Sequence, residues 1–151
     1  MKRLTYSVVV FLFLLGMAPA VWAGPAEEIA EIGQERAKAF REGNLDVWMA
    51  AYADNAVLTS AREAFRVEGK EAIRGYFVAL FETYPKRSFV GRQPLTRVYN
   101  NETTVVQNAY VHLTFVDRTG QVTNLFTRVS LTWVKMGGQW RIVDTHVSRL
   151  P

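Results

Sequence analysis

Two histidines, His112 and His146, are the only imidazoles in a chain of 151 residues that has no cysteine. An imidazole titrates near neutrality, so each is a candidate general acid, general base or ligand donor. Asp144 stands two residues before His146. On a strand that spacing puts both side chains on one face, with Cα atoms about 6–7 Å apart. This is long for a hydrogen bond that would orient the ring, so the pair alone is a weak dyad. Two imidazoles and a carboxylate are also a donor set for a divalent cation. Neither a tight His-x-His nor an HExxH spacing is present, and no metal site is expected. The absence of cysteine excludes thiolate catalysis, disulfides and thiolate metal sites. No nucleophile elbow, phosphate-binding glycine loop or dinucleotide fingerprint occurs, and no cofactor is expected.

The elements that must position these residues fall into two halves. Residues 26–42 carry Ile29, Ile32, Ala37 and Phe40 among Glu, Lys and Arg, an amphipathic pattern of period near 3.6 that Gly43-Asn44 ends. Asp46 reads as the N-cap of a short helix over 47–52. A short strand over 56–59 follows, then a helix over 70–84 that Pro85 stops. Beyond Pro85 the period changes to 2. Strands are predicted over about 87–99, 103–117, 122–135 and 139–149, rich in Val, Thr, Phe, Tyr and Trp. Asn100-Asn101, Arg118-Thr119-Gly120 and Gly137-Gly138 are the turns between them. Gly91 and Pro94 are candidate bulge sites. Helices first and a meander of long strands afterwards imply an α+β fold.

With two-residue turns at Thr119-Gly120 and Gly137-Gly138, His112 is predicted opposite Thr127 and Val129 opposite His146. One face then gathers Tyr110, His112, Thr114, Val129, Leu131, Trp133, Trp140, Ile142, Asp144 and His146. It is apolar at one end and carries both imidazoles and a carboxylate at the other, the composition of a ligand pocket. The opposite face, with Val111, Leu113, Phe115, Arg128, Ser130 and Val143, is expected to be an oligomer interface. An odd loop at either glycine turn would exchange the partners and bring Arg128 into the pocket. Trp48, Trp133 and Trp140 read first as core residues, and those at an apolar pocket base would touch any ligand bound there.

The N-terminus has the order of a cleavable secretory signal over residues 1–23. Lys2 and Arg3 precede an apolar run over 7–17, Pro19 breaks it, and Val21-Trp22-Ala23 supplies a cleavage site. The run is shorter than the ~20 residues a membrane span needs, so no stable membrane anchor is expected after cleavage. Residues 24–151 are read as a single domain, periplasmic or secreted. Removal of Lys2 and Arg3 lowers Lys+Arg from 18 to 16 against 14 acids, a net charge of +2 rather than +4. The basic residues form no stripe or block, so nucleic acid is not an expected partner.

Three segments resemble the nuclear-transport-factor-2-like superfamily, also called SnoaL-like or cone fold. Residues 42–58, with Gly43-Asn44 and Tyr52-Ala53-Asp54-Asn55-Ala56-Val57, are similar to its "GD…YADDAV" segment. Gly69-Lys70-Glu71-Ala72-Ile73-Arg74-Gly75-Tyr76-Phe77 is similar to its "G-x-x-A-I-R-x-Y-F" start of the long helix. The C-terminal Gly138-Gln139-Trp140 through Asp144, His146, Ser148 and Pro151 resembles the end of the calcium/calmodulin-dependent kinase II association domain and of SgcJ/EcaC-type small bacterial proteins. The resemblance implies a cone-shaped α+β barrel, with N-terminal helices packed on a strongly curved, mainly antiparallel sheet, and a homodimer or higher homo-oligomer. It also implies departures. The association domain usually has His at the position of Asp144 and Arg at that of His112. In ketosteroid isomerases of this fold the base would fall near Ser60 and the first-helix phenol near Arg36, and neither residue fits that mechanism.

The expected role is an exported small-molecule-binding or accessory domain. Its ligand would be partly apolar and would contact Tyr110, His112, Asp144, His146, Trp133 and Trp48. One alternative is a cofactor-independent lyase or isomerase in which His112, His146 and Asp144 move protons. The other is a structural oligomerisation domain, which a pocket plugged by Trp48, Trp133 or Phe81 would favour.

Overall fold

A computed structural model describes residues 24–151; the secretory-signal reading of residues 1–23 lies outside them. Helix α1 (Pro25–Glu42) ends where Gly43 takes the left-handed conformation, φ 78°, and returns its N–H to the Ala39 carbonyl. Helix α2 (Leu45–Ala50) is capped by Asn44, whose Oδ1 accepts from the Val47 amide at 3.2 Å. The expected cap, Asp46, instead pairs with Arg74 on the third helix at 2.5 Å. Strand β1 (Tyr52–Thr59) begins four residues earlier than its apolar run suggests, so Tyr52 belongs to the sheet and not to α2. A two-residue β2 (Val67–Glu68) leads into α3 (Lys70–Thr83). Four long strands follow: β3 (Lys86–Tyr99), β4 (Thr104–Val116), β5 (Val122–Met136) and β6 (Gln139–Arg149).

The strands form one sheet in the order β2-β1-β6-β5-β4-β3. Only β1 and β6 run parallel. The helices lie against one face of this sheet, and Ile29, Phe40, Met49, Tyr52, Ile73, Phe77, Phe115, Trp133 and Ile142 form the core between the layers. This is the α+β fold expected from the order of elements, with the helices-on-sheet arrangement that the family resemblance implies. Among the described residues no helix is long and apolar enough to cross a membrane.

Three irregularities decide which side chains face the helices. In β3, Gln93 and Pro94 lie between the paired residues Arg92 and Leu95 while β4 advances by Ala109 alone, a bulge that includes Pro94, one of the two expected sites. Gln93 sits at φ 48°, a conformation uncommon for a residue with a side chain. The β4–β5 connection is odd. Asp117 and Gln121 close it through an N–H to carbonyl bond of 3.1 Å, leaving Arg118, Thr119 and Gly120 in the loop, with Gly120 at φ 88°. The Asp117 carboxylate holds this shape by accepting from the Thr119 amide, the Thr119 hydroxyl and the Gln121 amide at 2.7–2.9 Å. The β5–β6 turn is the expected two-residue turn, with Gly137 and Gly138 both at positive φ. Farther along β6, however, Trp133 pairs with Ile142 and Thr132 with Asp144, so Val143 is an extra residue.

The register therefore differs from the expected one. His112 pairs with Phe126 rather than Thr127, and Val129 pairs with Val147 rather than His146. Side-chain direction alternates with a period of 2, so each single-residue slip exchanges the faces of everything beyond it.

Candidate functional site

A cavity of about 490 Å³ lies between the helices and the concave face of the sheet. Its sheet wall is built from Ala109, Val111, Leu113 and Phe115 on β4, Val129, Leu131 and Trp133 on β5, and Thr145 and Val147 on β6. The helices contribute Phe40, Trp48, Phe77 and Leu80. Exposed lining residues, among them Gln34, Arg62 and Pro94, mark where the space meets solvent. Size and apolar walls suit a small organic molecule.

The expected site residues divide between the two faces. Trp48 and Trp133 line the cavity. Tyr110, His112, Asp144 and His146 do not. The odd loop turns Tyr110 and His112 outward, and the Val143 bulge turns Asp144 and His146 outward, since Thr145 between them is the buried lining residue. On the outer face His112 stacks on Phe126 with ring centroids 4.4 Å apart, and its Nε2 lies 2.9 Å from Asn124 Oδ1. His146 pairs with Ser130 and Asp144 with Thr132. His112 and His146 are thus separated by two strand spacings and four residues along β5, about 16 Å. The structure does not bring the two imidazoles and the carboxylate together. Arg128 also stays outside, opposite Tyr110: the odd loop turned β4 over and left β5 in place. Among the described residues no group of three His, Asp or Glu is arranged to hold a metal ion.

The sequence reading missed the residue at the cavity floor. Arg36 follows Ile29 by seven positions and precedes Phe40 by four, so it occupies a core slot in the buried stripe of α1. Its side chain lines the cavity, yet Arg36 is only 6 % exposed. Its guanidinium carbon lies 4.1 Å from the Trp48 ring centroid, 5.3 Å from that of Tyr52 and 5.7 Å from that of Trp133. Nε donates to the Trp48 carbonyl at a long 3.4 Å. Among the described residues Arg36 has no ion-pair partner. Burial holds its pKa below the usual arginine range, and the nearby Tyr52 oxygen offsets part of that effect. The signal was present in the sequence: an arginine where helical period demands an apolar residue.

Two more donors belong to lining residues. The indole N–H groups of Trp48 and Trp133 are buried and make no hydrogen bond. Toward the rim, the Tyr76 hydroxyl lies 2.8 Å from Ser60 Oγ, which also accepts from the Arg62 amide at 3.1 Å. Burial pushes the Tyr76 phenol up, against the opposing pull of the Ser60 hydrogen bond and the Arg62 charge. Arg62 donates to the Tyr84 hydroxyl at 3.0 Å. Among the described residues the cavity wall includes two arginines and no Asp, Glu or His.

A helical layer against a curved six-stranded sheet, closed over an apolar cavity, is the nuclear-transport-factor-2-like architecture. The sequence profile of the SnoaL-like domain matches residues 29–151, and the chain belongs to that family. No curated protein matches it at a significant level. Solved structures show the same fold at low identity. One from Xanthomonas campestris, assigned as a calcium/calmodulin-dependent protein kinase II association domain, is 23% identical with a TM-score of 0.75, covering 85% of this chain and 90% of that one. A nuclear-transport-factor-2-like superfamily protein from Salmonella enterica serovar Typhimurium is 22% identical, TM-score 0.75, covering 84% and 92%. A protein of Novosphingobium aromaticivorans assigned as a scytalone dehydratase is 14% identical, TM-score 0.74, covering 82% of each chain.

Proposed function

We propose that this protein is a small-molecule-binding domain whose ligand occupies the cavity on the concave face of the sheet. The cavity itself carries this reading: about 490 Å³ of apolar space with a few polar groups at its floor and rim. Trp48 and Trp133 line that space and do not fill it, which weighs against a purely structural role. The proton-transfer alternative loses its support, because His112, His146 and Asp144 face away from the cavity. Fluorescence titration with the neutral probe N-phenyl-1-naphthylamine tests the reading. Saturable one-to-one binding, abolished in a folded Ala109→Trp variant that fills the space, is the expected result. No saturable binding, or binding that Ala109→Trp leaves intact, would overturn it.

Two further parts of the reading rest on other observations. The outer face exposes Val90 (52 %), Leu95 (46 %), Tyr110 (46 %) and Phe126 (56 %), large apolar side chains whose burial against a partner surface would be favourable. We infer that a second copy of the chain covers it. Light scattering should give a dimer or larger assembly, and Phe126→Glu should shift it to monomer; a monomeric parent protein would end the idea. The charged, apolar and cleavage segments of residues 1–23 support export. Protein recovered from the periplasm or medium should begin at Gly24.

A further inference from the structure

We propose that the cavity ligand is an organic monoanion, an aryl or ring-bearing monocarboxylate, and that Arg36 is its anchor. This rests on the small-molecule reading above and adds the chemical class.

The argument begins with the cost of burying a guanidinium. Arginine does not shed its proton in a protein, and an isolated charge taken out of water is strongly unfavourable unless something compensates it. Arg36 is 6 % exposed and lacks an anionic partner among the described residues. The Trp48 face at 4.1 Å, the carbonyl at 3.4 Å and the nearby Tyr52 oxygen compensate part of this. None of them supplies the paired anionic acceptors that the planar Nη edge is shaped to meet. A carboxylate does so through two parallel hydrogen bonds.

The surroundings point the same way. The guanidinium lies among the rings of Trp48, Tyr52 and Trp133, and Arg36 is itself a lining residue of the cavity. No anionic side chain among the lining residues competes for the guanidinium. One buried cation matches one negative charge. The second arginine, Arg62, is exposed and already bonded to Tyr84. A phosphate dianion would leave a charge unpaired against apolar walls. Phe40, Phe77, Phe115 and Trp133 make those walls aromatic, which favours a ring-bearing body packed edge-to-face.

Matched probe pairs test the class: 2-naphthoate against 2-naphthamide, and 4-phenylbutanoate against 4-phenylbutanamide, titrated at pH 7 by calorimetry and by tryptophan fluorescence. The carboxylate of at least one pair should bind ten-fold or more tightly than its neutral amide. In Arg36→Met that preference should vanish while the amide still binds; Arg36→Lys should restore part of it. Equal affinity for acid and amide in the parent protein would overturn the carboxylate assignment and leave the pocket standing. Binding of neither class, up to the probes' solubility limits, would overturn both. A preference that survives in Arg36→Met would remove Arg36 as anchor. If Arg36→Met fails to fold, the comparison of acid and amide in the parent protein still decides the ligand class, and Arg36→Lys decides the anchor.

Discussion

The inner and outer faces of β4, β5 and β6 are made by the same three strands, yet they carry opposite chemistry. The inner face is aliphatic and aromatic and looks onto a buried guanidinium. The outer face holds both imidazoles, Asp144, Arg128 and a set of exposed aromatic and aliphatic side chains. The sequence reading put the imidazoles on the pocket face and gave Arg36 no place there; in the structure the imidazoles lie on the outer face and Arg36 lines the cavity. On a strand, neighbours in sequence are on opposite sides, so a functional reading of a sheet is only as good as its count of loop and bulge residues.

Substitutions on the two faces should therefore behave differently. The largest effect is expected from Trp133→Ala, which empties a fully buried indole at the centre of the inner face. The loss should be about 3–5 kcal/mol in chemical denaturation; a loss under about 1 kcal/mol would mean that the two layers are not packed through this residue. Arg36→Met also changes a buried inner residue but should leave the stability of the ligand-free protein unchanged or raise it, because it removes a charge that no anion among the described residues balances. A marked fall in melting temperature would give Arg36 a structural role.

The device that separates the faces should respond to acid. The Thr119 hydroxyl, with the Gln121, Thr119 and Gly120 amides, holds the Asp117 carboxyl below its ordinary range. A lowered folded-state pKa stabilises above the unfolded carboxylate value of about 4, and the gain is lost as pH falls through the folded value. Asp117→Asn should melt below the parent protein at pH 7, and the gap should close as pH falls through the lowered folded-state value of the carboxyl. A gap independent of pH would mean that the loop does not depend on the charge. The smallest effect on stability is expected at His146 on the outer face. His146→Ala should change stability by no more than about 0.5 kcal/mol and leave probe binding in the cavity unaltered. Loss of probe binding in this variant would restore His146 to the site.

Much of the fold was legible in the chain. The change from period 3.6 to period 2 at Pro85 separates the last helix from the four long strands, and most limits of those strands follow from the turn residues to within one position. What failed was parity. Arg118-Thr119-Gly120 contains the right turn residues for either a two- or a three-residue loop, and only the bonds that Asp117 makes select three. Nothing in Ile142-Val143-Asp144 marks a bulge. It arises where β6 must satisfy β5 on one side and β1 on the other; the β1–β6 register also shifts there, with Tyr52 opposite Ile142 and Val57 opposite Asp144.

The sequence by itself determined the α+β class, the order of elements and an arginine set into an apolar helical stripe, because these depend on local periodicity and on propensities read within a few residues. Tertiary structure alone decided that Arg36 is a cavity residue and that His112, His146 and Asp144 are not. Which way a strand side chain points depends on pairing with distant segments, and a single extra residue in a loop or bulge inverts it.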